Sequence, residues 1–330
     1  MTNEISRARL LRAIPLALAG AALLMGGVSA QAQAWPAKPV RLVVSYPPGG
    51  TVDAVARIVA PKLSAKLGQS VVIDNRGGAG GAIGGDLVAK SSPDGYTVLL
   101  DASNHAQNPA LRKMPFDTLR ELAPVSLLVK VPNVLVVNPS APMKNVADLI
   151  AQAKAKPGGI NYASSGNGSA QHLAGELFAS MAGVQMTHVA YKGGGPALTD
   201  VMSGHVPVFF ASMASSLPFI QGGKLRALAV TGKAHAPALP QLPTVAQAGL
   251  PGYEVYEWNA VFVPAGTPAP VVERLSKELA ATLKDPEVRG RLEALGAEVI
   301  GSSPAELDGF RRAEITKWTK LAKDNKIQMD

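Results

Sequence analysis

The chain has 330 residues, 47% of them apolar and 17% charged, a globular balance and not a disordered one. It contains no cysteine, which excludes disulfides, thiol catalysis and a cysteine-borne lipid, so the core alone must hold the fold. The formal charge is +8, but the basic residues are interleaved with acids, as in RRAEITKWTKLAKDNK near the C-terminus, which reads as a solvated helix face and not as a nucleic-acid surface.

Arg7, Arg9 and Arg12 precede an apolar stretch from Ala13 to Met25, and AQAQA then offers small-residue cleavage sites ending at Ala32 or Ala34. That is the layout of a secretory signal peptide, so residues 1–34 are expected to be removed and the mature protein exported. VRLVVSY at 40–46 reads as a strand, followed by a helix on which Val52, Val55, Val59 and Leu63 share a face. Pro61 should kink that helix. Asp53 and Arg57, four apart, should pair along its surface as scaffold. SVVID is a second strand, Ala79 to Lys90 a second helix, and YTVLLD a third strand. PVSLLVK and NVLVVN, separated by Val131 and Pro132, read as two runs, the first closing one sheet and the second opening another.

Helices are expected at 145–156, 169–182 and 196–203, with the strands INYAS, THVAY, VPVFFA and LRALAVT between and after them. The Pro-, Gly- and Ala-rich stretch 232–254 reads as a long surface connection that returns the chain. Beyond it come EWNAVFVPAGTP, helices at about 268–283 and 286–295, the short strand AEVI and a last helix from Pro304. Such alternation predicts α/β layers with mainly parallel sheets, and two lobes are the simplest assembly. Residues 35–131 with 245–330 would form one lobe and 132–244 the other.

Four glycine-rich loops each follow an expected strand and precede an expected helix: YPPGG (46–50), NRGGAGGAIGGD (75–86), SSGNGSAQHL (164–173) and YKGGGPAL (191–198). A helix start there offers unpaired amides and a positive dipole end, and glycine lets a ligand approach the backbone. Two loops per lobe would present such amides from both sides of a cleft. A nucleotide site is disfavoured. GAGGAIG (78–84) is a loosened dinucleotide fingerprint, but it follows the second strand and only Asp101 offers itself to a ribose. The nucleophile elbow G-x-S-x-G does not occur, which leaves a secreted hydrolase using Ser165 or Ser169 beside His172 as the enzymatic alternative. The five histidines show no zinc spacing, and neither metal nor cofactor is expected.

YPPGGTVDAVAR, VVIDNRGGAGGAIGG, NHAQNPAL, PFDTLRELAPV, YASSGNGSAQHLAGELF and VAYKGGGPALTDVMSGHV, followed by LPTVAQAGLPGYE and DPEVRGRLEALGAE, resemble the tripartite tricarboxylate transporter substrate-binding proteins, the Bug receptors. The resemblance spans essentially the whole mature chain. It implies a type II-like, two-lobed periplasmic binding fold (a Venus flytrap) with a ligand cleft between the lobes. It also implies a non-enzymatic, monomeric receptor that captures a small organic carboxylate, with inner-membrane transporter subunits as partners. A sensory receptor serving a membrane kinase is the alternative.

Carried over residue by residue, the resemblance offers Tyr46, Pro48, Gly49, Gly50, Gly78, Ala79, Gly80, Asn104 and His105 in the first lobe. In the second it offers Ser164, Ser165, Gly166, Ser169, His172, Tyr191 and Lys192, the lysine facing a distal carboxylate. One departure stands out. Pro207 and Ala211 occupy the strand VPVFFASMAS where the family pattern implies aspartate, which favours a plain carboxylate over an amino acid.

Overall fold

The run VRLVV forms a strand, β1 (Val40–Val44), because a β-branched stretch buried on both faces suits the middle of a sheet. In the computed structural model the described residues are 35–325 and 327, so the signal peptide expected over 1–34 lies outside them. From Lys38 onward the chain forms one compact unit. After β1 come α1 (Thr51–Leu67), β2 (Val71–Asn75), α2 (Ala82–Ala89), β3 (Thr97–Ala102) and α3 (Asn104–Leu111). The long strand β4 (Leu122–Val137) follows. The middle of the chain holds α4 (Val146–Ala155), β5 (Asn161–Ser164), α5 (Ala170–Ala182), β6 (Thr187–Ala190), α6 (Gly194–Met202), β7 (Val208–Ser212), α7 (Met213–Gln221) and β8 (Arg226–Val230). β9 (Tyr256–Pro264), α8 (Ala269–Leu283), α9 (Pro286–Ala294), β10 (Glu298–Val299) and α10 (Pro304–Asp324) complete it.

β4 serves two sheets. From Leu122 to Pro132 it pairs antiparallel with β9, giving the order β2-β1-β3-β9-β4-β10. From Asn133 to Val137 it lies between β7 and β8, giving β6-β5-β7-β4-β8. The two runs expected on either side of Val131 and Pro132 are therefore one strand that changes partners. Proline has no N–H for the ladder, and it sits where pairing with one sheet ends. The sheets are also mixed where mainly parallel ones were expected. β1 with β2 and β3, and β5 with β6 and β7, are parallel, whereas β4 and β9 run antiparallel to their neighbours. These two strands enter a sheet from the other half of the molecule and not over a helical crossover.

Three further differences have local causes. α1 runs on through Pro61 to a left-handed Gly68 (φ 71°), since Arg57, whose carbonyl loses its amide partner, lies on the exposed side of the helix. α3 and α7 were not expected: NHAQNPAL and MASSLPFIQ are short, polar and contain proline, so neither shows a clear apolar face. The stretch 231–255 is irregular but not wholly superficial. Val245, Leu250 and Tyr253 are buried, and the Tyr253 hydroxyl donates to Ala174 O at 2.9 Å on α5.

The core is built on large side chains: Trp258, Trp318, Tyr162, Phe178, Phe210 and Phe262 are fully buried. Each contributes on the order of 1.5–3 kcal/mol by leaving water. α10 is held at its start by a reciprocal cap in which Ser303 N donates to Glu306 Oε2 (2.8 Å) and Glu306 N donates to Ser303 Oγ (3.3 Å). The crossings between the halves meet at Thr231. Its hydroxyl accepts from Asn133 N at 2.8 Å and lies 2.8 Å from Val255 O.

Candidate functional site

A cleft of about 600 Å³ opens where helices begin. Its lining includes Gly50, Thr51 and Val52 at the start of α1, Ser103 and Asn104 at α3, and Ser169, Ala170 and Gln171 at α5. Gly193 to Gly195 at α6 and Ser212, Ala214 and Ser215 at α7 complete the set. Five helix N-termini thus converge, each with first-turn amides that have no partner inside the helix and a partial positive charge. The N-cap residues Gly50, Ser103, Gly193 and Ser212 make no side-chain cap, and only Ser169 accepts from an amide, that of His172. Ser103 Oγ and Ser212 Oγ are buried and have no hydrogen-bond partner. No lysine, arginine or histidine lines the cleft among the described residues, and Glu257 is its one charged side chain.

Of the residues expected from the sequence, Tyr46, Gly49, Gly50, Asn104, Ser165 and Ser169 line this cleft. The Tyr46 hydroxyl donates to Asn104 Oδ1 at 2.7 Å, and Asn104 Nδ2 donates to Gly168 O at 2.8 Å, so one chain of bonds links the loops of the two halves. Gly49 has φ 91°, a conformation that favours glycine. Its amide donates to Asp53 Oδ2 at 2.9 Å, so this residue gives the cleft shape and its amide is already engaged. Asp53 is buried and also accepts from Arg57 Nε (2.8 Å) and Asn75 Nδ2 (3.0 Å). The Arg57 bond first, then those of Gly49 and Asn75, hold its carboxyl below the usual range against desolvation. The scaffold role expected of Asp53 and Arg57 is what the geometry gives them.

The remaining residues stand behind the lining or away from it. Pro48 is exposed and borders no part of the cleft. The loop carrying Gly78, Ala79 and Gly80 backs Tyr46: Gly80 O accepts from Asn108 Nδ2 at 2.8 Å and lies 3.3 Å from the Tyr46 hydroxyl. Ala79 borders a separate surface depression with Arg112 and Lys113. His105 lies in the core, stacked on Phe262 (3.9 Å) and bonded through Nδ1 to Asp101 Oδ2 (3.1 Å). It follows Asn104 on a helix, and successive helical residues diverge by about 100°, so only one of the pair can reach the cleft.

Ser164 is buried, shares a 2.6 Å hydrogen bond with His188 Nε2, and accepts from Gly166 N at 3.0 Å. His172 stacks on His188 (3.8 Å) and accepts from Gly168 N at Nδ1 (3.0 Å). Burial pushes His172 down to about 3, with the neighbouring His188 adding to the shift, and burial pushes His188 down to about 4. Both rings are neutral and brace the loop that carries Ser165. Nε2 of His172 lies 3.7 Å from Glu176 Oε1, and it is the backbone amide of His172 that donates to Ser169 Oγ, so the ring makes no hydrogen bond to that hydroxyl of the kind a serine hydrolase needs. Burial, and then the hydrogen bond that its hydroxyl donates to Asp200 Oδ2 at 2.6 Å, raise the Tyr191 phenol to about 12, and Lys192 is exposed and outside the lining.

Sequence reasoning missed Thr51, Ser103, Gln171, Ser212, Ser215 and Glu257. A hydroxyl at a strand end was the available signal for Ser103 and Ser212. For Glu257 it was an acid inside a mostly apolar strand. Among the described residues no cluster of histidine and acidic side chains suits a metal ion, and no helix is long and apolar enough to cross a membrane.

Residues 55–327 match the family described as tripartite tricarboxylate transporter family receptor. The solved periplasmic binding protein BugD is 35% identical with a TM-score of 0.77, covering 89% of this chain and 100% of that one. Rpa4515 of R. palustris, solved with adipate, is 41% identical with a TM-score of 0.80, covering 89% of this chain and all of its own. MatC (Rpa3494) from Rhodopseudomonas palustris, solved with bound malate, is 30% identical with a TM-score of 0.76, covering 87% of this chain and 99% of that one. With its two-lobed α/β fold and a match across most of its length, the chain belongs to the tripartite tricarboxylate transporter family receptors, periplasmic solute-binding proteins and not enzymes.

Proposed function

We propose that this receptor captures a small organic carboxylate (a di- or tricarboxylate, or an aromatic one) in the cleft and passes it to the membrane subunits of a tripartite tricarboxylate-type transporter. The observation that carries the reading is the convergence of five helix starts and two partnerless buried hydroxyls on one cleft without a cation. Charge-assisted hydrogen bonds contribute roughly 1.5–3 kcal/mol each, so two or three per carboxylate reach micromolar affinity after ordering costs. The adipate and malate seen with Rpa4515 and MatC support this chemical class. Tyr46, Thr51, Ser103 and Asn104 would act from one lobe and Ser165, Ser169, Gly194 and Ser212 from the other. The lobes would pivot at Pro132 and again at Val255, because Tyr253 ties the preceding stretch to α5. Residues 1–34 would direct export to the periplasm and then be removed.

A thermal-shift screen of the mature protein against mono-, di- and tricarboxylates, aromatic ones included, tests this. At least one carboxylate should raise Tm in a saturable way and bind with a micromolar Kd by calorimetry, without turnover. If no carboxylate shifts Tm, or if a chromogenic ester is hydrolysed and Ser169→Ala abolishes this, the reading fails.

A further inference from the structure

We propose that Glu257 selects, among carboxylates, one that carries a hydrogen-bond donor (a hydroxyl or an ammonium) where it meets β9, over one that places a second carboxylate there. The proposal rests on the carboxylate-capture reading above. Glu257 lines the cleft near the start of β9, opposite Val131 in the ladder, between Tyr256 and Trp258, whose rings are buried. It lies beside α1, where the Thr51 side chain hydrogen-bonds to it, and within electrostatic reach of Tyr46. No lysine or arginine pairs with it among the described residues, and none lines the cleft to offset it. Elsewhere the polar groups of the lining are chiefly donors, amides at five helix starts, hydroxyls of serine and threonine, and the Asn104 and Gln171 amides, set among apolar Val52, Ala54, Ala102 and Leu295.

An ionised carboxylate has acceptors only. It repels an anionic oxygen placed against it and takes a hydrogen from a hydroxyl or ammonium at the same spot. Burial pushes the Glu257 carboxyl up to about 6, with the Thr51 hydrogen bond opposing that rise, so at pH 7.5 the group stays mostly ionised. Neither Pro207 nor Ala211 lines the cleft, so the acid that reaches it comes from β9.

The test is calorimetry at pH 7.5 on the mature protein and its Glu257→Gln variant, with two length-matched sets: succinate, malate and aspartate, then adipate, 6-hydroxyhexanoate and 6-aminohexanoate. In at least one set, the wild type should bind a donor-bearing member at least about tenfold more tightly than the plain dicarboxylate, the range expected of a hydrogen bond to a charged group. Glu257→Gln should bring that ratio to within about threefold, weakening the donor-bearing member and strengthening the dicarboxylate. Unliganded melting curves check that the variant folds, and Glu257→Asp should restore the preference in part. Tightest binding of a plain dicarboxylate, with ratios unchanged in Glu257→Gln, overturns the role of Glu257 and leaves carboxylate capture standing. A plain dicarboxylate bound most tightly even at pH 7.5, with one proton taken up by the wild type and none by Glu257→Gln, also overturns it, because Glu257 then serves as a neutral donor. If none of the six binds either protein while other carboxylates raise Tm equally in both, Glu257 selects nothing. If no carboxylate raises Tm at all, capture itself fails and this inference falls with it.

Discussion

Gly49 and Asp53 shape the cleft through the backbone, the glycine by its left-handed conformation and the aspartate by holding the glycine's amide. At φ 91° Gly49 has open space where a Cβ would stand, so a substitution there meets backbone strain and no clash. Gly49→Val should cost on the order of 1–2 kcal/mol in stability and distort the loop that Asp53 anchors. Carboxylate binding should be lost by calorimetry while the circular dichroism spectrum stays native. Equal affinity in variant and wild type would remove the loop from the site.

The stacked imidazoles of His172 and His188 predict a pH dependence. Both are held below their unfolded value of about 6.5, so their contribution is complete above that pH. Below it the unfolded chain takes up protons that the folded loop refuses. The contribution is lost progressively as pH falls toward about 3 for His172 and about 4 for His188. Urea midpoints should therefore drop between pH 6.5 and 4, and the gap between wild type and His188→Gln should narrow over that range. A gap that stays constant would place the rings outside this linkage. Residues of this kind were partly legible. The glycine loops announced themselves, but the choice between Asn104 and His105 depends on a helix that NHAQNPAL conceals.

At the scale of elements, β4 and the stretch ending at Val255 matter most, because they join the two sheets. The Thr231 hydroxyl bridges them. Thr231→Val keeps the volume but leaves the Asn133 amide and the Val255 carbonyl without that partner, in a position of no exposure. The loss should be about 1–3 kcal/mol in denaturant unfolding, read from the midpoint at unchanged slope. An unchanged midpoint would mean that the crossings hold without the bridge. Alternation of strand and helix was readable because β1, β3 and β8 are largely apolar runs bounded by glycine or by turn residues. That PVSLLVK and NVLVVN form one strand was not readable. Whether a proline ends a strand or marks a change of partners is decided by what lies beside it.

For the whole molecule, the glycine loops announced helix starts facing a cleft, but not the two further starts at Ser103 and Ser212. Ser103 and Ser212 are more than a hundred positions apart, and only the placement of the two sheets brings them to one cleft. The family resemblance supplied the loops but not Glu257, whose meaning depends on the absence of a cation from the cleft lining among the described residues. A receptor that holds its guest chiefly by main-chain groups also has an unusual tolerance. Truncating one lining side chain leaves the peptide dipoles where they were, so new guests become accessible through a few peripheral exchanges while the grip on the shared acid group persists.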